Sequence, residues 1–482
     1  MLTGAEIKQF IEEDAASERK RMAEKGQKYY EGRHDILDYK MYYYNADGVL
    51  VEDKARSNSK ICHPFFTELV DQLAAYLLSS DENPIRTKKD DAALQEHLDV
   101  YFDDAFWAEM QELVTGANAK GFEYLYGYKN DDDRLTFECA DSLGIIEIPA
   151  KYASDKEDHV LYTYTDRMER GGKTVKKIQD FTRHGITFYV EKEDAIVPDP
   201  DAEINPRPHI VWREGEAEGQ YGDELGFLPF WRLDNNAKQH SGLNPIKGLI
   251  DDYDLMECGL SNNLQDFDTP VHLVKGYRGD DLDELQQNIK TKKIMGVDEN
   301  GGVEILTVDV PYEARKTKAD EDEKNIYRFG MGFNSAQVGD GNITNIVIRS
   351  RYTLLELKAN KLEKRLKRFL KDIIRVVLDE INRKNSTSYQ YTDVKIDLKR
   401  IVPTNEQETI QNAKTEAETE QLRINNILNT AMLIGDEEAL RAICGILELD
   451  FEELKNQLGN LNESQNTREA FETLESVVVE NE

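Results

Sequence analysis

Three groups of residues carry types that could do chemistry. Cys62 beside His63 resembles half of a metal site, but no further ligand stands at useful spacing, so the pair reads as structural. Asp199, Asp201 and Glu203 in PDPDAEINP alternate as calcium ligands do, yet the glycine and closing glutamate of an EF-hand are missing. That segment reads as a solvated acidic turn. Asp131, Asp132 and Asp133 place three carboxylates in one turn, which a phosphate-acting metalloenzyme could use. Around these groups the supporting motifs are missing: no GxxxxGK(S/T), HExxH or GxSxG occurs, and the eight histidines are scattered. Neighbouring acids such as Asp251 and Asp252 point to different faces of a helix. With no catalytic, metal or cofactor constellation, the chain reads as structural or conduit-forming.

Charge gives a sharper signal. Acids outnumber bases 94 to 61, a formal charge of -33, which argues against a protein that coats nucleic acid by neutralising phosphates. Yet ten basic residues lie between Arg349 and Arg375, including Arg351, Lys358, Lys361, Arg365 and Arg368, against three acids. Through the same stretch Ile348, Tyr352, Leu355, Ala359, Leu362, Leu366, Phe369, Ile373 and Val377 recur at threes and fours. The pattern predicts one long amphipathic helix whose basic face is solvated, meets an acidic neighbouring subunit, or meets phosphate. A coiled-coil scaffold assembled through 348–377 is an alternative. Before it, Gly330 to Asn345 is rich in Gly and Asn and predicts a flexible loop.

The positioning elements follow from periodicity. A length of 482 residues suggests about three domains. The four separated cysteines form no CxxC pair, the N-terminal residues lack the apolar core of a signal peptide, and no apolar run is long enough to span a membrane. Helices are predicted over 5–32, from Pro64 to near Ser79, and over Ala92 to Gly121. From Phe122 to about Glu214, short β-prone runs between Asp/Asn/Gly turns predict an antiparallel meander. Leu249, Tyr253, Met256, Leu260, Leu264 and Phe267 mark one face of a helix, opposite Asp251, Asp252, Asp254, Asn262 and Asn263. Then come a short helix at 280–288, a hairpin turning at 299–302, a polar helix after Pro311 and a strand near 393–403. Helices with Asn405 and Asp436 as N-caps and a disordered tail complete the chain.

Three segments carry a resemblance: NSKICHPFFTELVDQLAAYLL (58–78), GFLPFWRLDNNAKQHSGLNPIKGLIDDYDLMECGLSNNLQDF (226–267) and GNITNIVIRSRYTLLELKANKLEKRL (341–366). The last is the most specific, a glycine-containing loop entering a helix with Leu357, Lys358 and Ala359. In order and spacing they resemble the portal proteins of tailed double-stranded DNA bacteriophages, the long-tailed type of Gram-positive hosts. The resemblance implies an α+β portal fold: an α/β wing (1–240), a stem helix (241–268), a small α/β clip (269–311), a second stem helix (312–331), a tunnel loop (332–345), a long wing-spanning helix and strand (346–400), a helical crown (401–460) and a tail (461–482).

It also implies a homo-oligomeric ring, twelve copies at one capsid vertex of the virion, assembled in the host cytoplasm, without membrane or cofactor. Double-stranded DNA would pass the tunnel-loop residues Phe333, Asn334, Ser335, Gln337, Gly339, Asp340, Gly341, Asn342 and Thr344. Stem and channel candidates are Asp251, Asp252, Asp254, Lys318 and Asp322. Arg278, Asp281, Lys290, Lys292 and Lys293 of the clip would dock the terminase large subunit or a head-completion adaptor. Arg349, Arg351, Lys358, Lys361, Arg365 and Arg368 are expected between subunits or within the wing, and major capsid and scaffolding proteins are further partners. The implied protein is not an enzyme; hydrolysis would belong to the motor.

Overall fold

The computed structural model describes residues 1–54, 56–80, 82–89, 91–168, 173–213, 220–267, 271–275, 302–306, 311–334, 345–401, 406–447, 449 and 451. It divides into two compact units, Met1–Val338 with Arg351–Ile401, and Gly339–Ser350 with Val402–Glu482.

The single helix expected at the N-terminus is two, α1 (Gly4–Ala16) and α2 (Glu18–Tyr30), because the Ser17 side chain accepts from the Lys20 amide and starts a new helix. The aromatic stretch after Tyr39 is a hairpin, β1 (Tyr42–Tyr44) with β2 (Leu50–Glu52). Next come α3 (Phe65–Leu77), β3 (Ile85–Thr87), α4 (Ala92–Tyr101) and α5 (Asp104–Lys120). Here too one predicted helix is split, since the Asp103 side chain caps α5 at the Phe106 amide.

The predicted strands are present as β4 (Phe122–Lys129), β5 (Leu135–Ala140), β6 (Ile145–Ile148), β7 (His159–Met168), β8 (Lys173–Phe181), β9 (Ile186–Lys192), β10 (Ala195–Pro198), β11 (Ile210–Arg213), β12 (Gln220–Asp223) and β13 (Phe230–Asp234). They do not form one meander. A five-stranded antiparallel sheet runs β10-β9-β8-β7-β6, a second sheet β13-β4-β5, and β11-β12 stand as a hairpin. The split follows from apolar burial on two sides: α1 covers one face through Ile7 against Leu161, Ile178 and Tyr189, while Phe122, Tyr124, Ile145, Val160 and Phe181 close the gap between the sheets.

The first unit continues with α6 (Lys247–Phe267), the antiparallel pair β14 (Val271–Lys275) and β15 (Gly302–Leu306), and α7 (Tyr312–Gly330). The arm predicted at 292–298 and the helix at 280–288 lie outside the described residues. α8 (Asn345–Asn385) belongs to this unit from Arg351 onward, and β16 (Val394–Ile396) pairs with β3. A central core gathers Tyr29, Phe66, Leu69, Val70, Leu243, Ile246, Ile250, Ile326 and Tyr327, so α2, α3 and the facing ends of α6 and α7 meet in one cluster. Burying such side chains contributes roughly 1.5–3 kcal/mol each. In the second unit α9 (Glu406–Ile434) packs on α10 (Asp436–Ile446), for which Gly435, not Asp436, is the N-cap residue.

Candidate functional site

The helix pair α6–α7 and the point where the chain leaves α7 form the candidate site. As numbers rise along α6, partners fall along α7: Ile250 shares the core with Ile326, Asp252 pairs with Lys318 at 2.7 Å, and the Met256 carbonyl accepts from Arg315 at 3.3 Å. The helices are therefore antiparallel. Gly259 lets the Arg315 guanidinium approach, since a Cβ there would stand 2.7 Å from Nη1. Lys318 also pairs with Asp322, and these two carboxylates hold its ammonium pKa above the ordinary value.

The buried stripe of α6 differs from the apolar stripe in the sequence. Ile250, Asp254, Cys258 and Asn262 are buried, whereas Leu264 is 54% exposed. The reason is an extended strap, residues 57–63, lying against the helix. Its Ser57 amide donates to Asp266 at 3.2 Å, Ser59 to Asn262 at 2.6 Å, Ile61 to Cys258 Sγ at 3.2 Å and His63 to Asp254 at 3.0 Å. Two extended residues advance about 6.6 Å and four helical residues about 6 Å, so the register holds along all four rungs. The strap satisfies polar groups that would otherwise be costly to bury.

Asp254 is the hub. One oxygen faces His34 Nδ1 at 2.6 Å and the other His63 Nδ1 at 2.8 Å, while the His34 ring stacks on Tyr29 with centroids 4.5 Å apart. Burial alone would raise its pKa, but the two imidazoles and the His63 amide hold it below the ordinary carboxylate value. The expectation that Asp254 faces a channel is thus corrected: it is fully enclosed between histidines of the same chain. Asp322 is likewise buried and engaged by Lys318. Asp251 binds Lys247 at 2.6 Å and accepts from the Tyr29 hydroxyl, and Asp252, exposed to a similar degree, pairs with Lys318.

At the C-terminal end of α7, Met331 adopts φ +57° and Gly332 donates to the Tyr327 carbonyl at 3.0 Å, closing the helix. Gly332 lies against Leu69 so closely that a Cβ would stand 2.0 Å from Leu69 Cδ2. The next residue is clamped from α3. Gln72 Oε1 accepts from the Phe333 amide at 2.9 Å, and Gln72 Nε2 donates to the Phe333 carbonyl at 2.7 Å. The Phe333 ring stacks on Tyr352 of α8 at 4.8 Å, and Asn334 donates to Glu323 at 2.7 Å. Ser335, Gln337, Gly339, Asp340, Gly341, Asn342 and Thr344 lie outside the described residues, as do Arg278, Asp281, Lys290, Lys292 and Lys293.

α8 backs this junction. Lys358 was expected on its basic face; instead its ammonium donates to the Gly330 carbonyl at 3.0 Å, where the end of the α7 dipole favours a cation, while desolvation lowers its pKa to about 8. Glu356 accepts from Tyr76 and from Arg400, which also pairs with Glu363. Further along, buried Glu380 takes Lys129 at 2.7 Å, the Tyr101 hydroxyl at 2.8 Å and the Leu135 amide at 3.1 Å. Leu355, Ala359, Leu362, Leu366, Phe369, Ile373 and Val377 are buried within the chain itself, which removes that stripe as a coiled-coil seam.

The other chemical candidates resolve locally. Cys62 and His63 belong to the strap; Asp199 pairs with Lys177 at 3.2 Å; Asp133 sits near Lys129 and Lys384. Among the described residues no group of three or more His, Cys, Asp or Glu is placed to hold a metal ion, and no helix is long and apolar enough to cross a membrane. Sequence reasoning missed Gln72, His34 and Arg400, none of which carries a motif.

A family model described as phage portal protein, SPP1 Gp6-like, matches residues 9–450. The portal protein of Bacillus phage SPP1 is 26% identical over 348 residues, covering 71% of this chain and 67% of its own. The portal protein of Clostridium phage phiCD119 is 22% identical over 382 residues, covering 72% and 79%. Among solved structures, the neck of an empty GTA particle computed with C6 symmetry aligns with TM-score 0.42 and 14% identity over 80% of this chain and 90% of that one. The neck of the native GTA particle computed with C12 symmetry gives TM-score 0.40 and 13% identity over the same shares.

Proposed function

Because the chain belongs to the SPP1 Gp6-like phage portal protein family, whose model it matches over residues 9–450, we propose that it closes into a ring of twelve at one capsid vertex and conducts double-stranded DNA during packaging and ejection. The family match carries this reading. In it, 1–240 with α8 forms the wing, α6 and α7 the stem, 269–311 the clip, 401–460 the crown, and Phe333 to Thr344 the loop that narrows around DNA. Of the stem residues named from the sequence, Asp251, Asp252 and Lys318 keep partly exposed side chains and stand as the channel candidates.

A closed heterologous ring accounts for a polar α7 that buries one face against α6 and leaves another for a neighbour. Exposed Tyr42, Tyr43, Tyr44, Leu50 and Val51 on the β1–β2 hairpin supply apolar surface of the kind that assembly covers. An acidic chain weakens adhesion of passing DNA, since phosphates facing carboxylates release no counterions favourably. The clip residues Arg278, Asp281, Lys290, Lys292 and Lys293 dock the terminase large subunit and later the head-completion adaptor. Assembly with major capsid and scaffolding proteins takes place in the host cytoplasm, and ATP hydrolysis belongs to the motor.

Negative-stain electron microscopy with light scattering on the purified chain tests the reading. A ring with a central hole and a mass of about 665 kDa, twelve times 55.4 kDa, is expected. A discrete dimer, or ATP turnover by the pure protein, would overturn it.

A further inference from the structure

We propose that Arg400 is a positioning residue for the loop that leaves α7, tying the Phe333 ring to the segment that carries the chain into the second unit. The inference rests on reading 333–344 as the loop beside the DNA, and names what sets its root. Residues 397–401 are the last of the first unit, and the chain passes to the second at Val402. The segment is fixed at both ends. The Asp397 amide donates to the Pro84 carbonyl at 2.8 Å, and the Ile401 amide to Ser79 Oγ at 2.8 Å. The Arg400 side chain, 9% exposed, turns inward: Nη1 meets Glu356 at 2.5 Å, Nη2 pairs with Glu363, and Cζ lies 5.8 Å from the Tyr76 ring centroid.

Two rungs then join α3 to α8. In the first, Tyr76 donates its hydroxyl to Glu356, so that Glu356 is held by both Tyr76 and Arg400. One helical turn earlier on each helix, Gln72 holds the Phe333 peptide and Tyr352 stacks on the Phe333 ring at 4.8 Å with an interplanar angle of 21°. The Tyr76 and Tyr352 rings, 5.7 Å apart, connect the rungs. Contact is therefore continuous from Arg400 through Tyr76 and Glu356 to Tyr352 and Phe333, and every link has a preferred geometry. Stability does not account for a cation at this place. A buried ion pair barely repays its desolvation, and apolar side chains of similar volume pack as well, whereas two carboxylates and a ring face hold a planar guanidinium in one orientation.

Hydrogen–deuterium exchange on the full chain tests the tie, with wild type, Arg400→Met, Tyr352→Leu, the double variant and Arg400→Lys. Arg400→Met is expected to raise exchange at 332–333 about fivefold, the factor that loss of one aromatic stack implies, while 326–327 stays flat. Tyr352→Leu should raise it as much, and the double variant no further, because both act on the same stack. Arg400→Lys reaches one carboxylate only and should give a smaller rise at the same residues; if Arg400→Met does not fold, that rise carries the test. A rise confined to 397–401 in a folded Arg400 variant overturns the tie, as do effects of Arg400→Met and Tyr352→Leu that multiply. Electron microscopy of the same samples separates the tie from the reading it rests on. An exchange rise at 332–333 in a chain that forms no ring supports the tie and overturns the channel role, and a ring with flat exchange at 332–333 overturns the tie alone.

Discussion

Replacing Gln72 by alanine removes both hydrogen bonds that hold the Phe333 peptide, one at 2.9 Å to its amide and one at 2.7 Å to its carbonyl. Each is worth roughly 0.5–1.5 kcal/mol net, so the pair contributes about 2 kcal/mol to holding this peptide in place. A local opening that breaks both becomes easier by that amount, which is roughly a 30-fold rise in amide exchange at Phe333. The stack of Phe333 on Tyr352 is untouched, and the amides of Ile326 and Tyr327 keep their helical partners. Exchange is therefore expected to rise at 332–333 and to stay flat at 326–327. Hydrogen–deuterium exchange with peptides across 326–334 reads both in one experiment. Gln72→Glu keeps an acceptor for the amide but loses the donor and sets a second carboxylate beside Glu68, so it should fall between wild type and alanine. Exchange at Phe333 within about twofold of wild type in Gln72→Ala would refute the clamp.

Asp254→Ala strands His34, His63 and the His63 amide without their acceptor, and should lower stability by about 3 kcal/mol in chemical denaturation, with Asp254→Asn losing less; a midpoint equal to wild type would contradict the hub. Glu380 gives a pH signature. Burial raises its pKa, but Lys129, Tyr101 and the Leu135 amide outweigh that and hold it below the ordinary 4.5. A carboxyl lowered by folding contributes stability above its unfolded pKa that is lost as pH falls through the folded one. Between pH 7 and 3 the melting temperature of wild type should then fall more steeply than that of Glu380→Gln, and parallel curves would exclude the effect. Gly332→Ala forces a Cβ to 2.0 Å from buried Leu69 and should cost about 1–3 kcal/mol. Gly259→Ala meets only the movable end of Arg315 and should cost less, which thermal unfolding of the two variants compares.

Much of the fold was legible because helix and strand periods are local. The stripe from Leu355 to Val377 predicted α8, and the buried face of α3 from Phe66 to Leu77 matches its spacing. Breaks at Ser17 and Asp103 were harder to see, since the residues on both sides continue a helical pattern and only the cap bond marks the stop. The separation of the meander into sheets depends on which strands α1 covers. The candidate site was less legible still. Asp254 looked like a solvent-facing acid because its histidine partners stand 220 and 191 residues earlier in the chain.

Sequence alone determined the acidic balance, the lack of a nucleotide or metal motif, the long basic helix and the three segments that point to the family. These are properties of residue identity and short-range spacing, and they do not change with packing. Tertiary structure decided which face of α6 is buried, because a strap from 57–63 satisfies its polar stripe rung by rung. It also decided that Gln72 holds Phe333 across 261 residues of chain, and that Lys358 turns inward while Lys361, Lys364 and Arg368 stay exposed. Desolvation and hydrogen bonding act on neighbours in space, and a linear chain does not name those neighbours until it has folded.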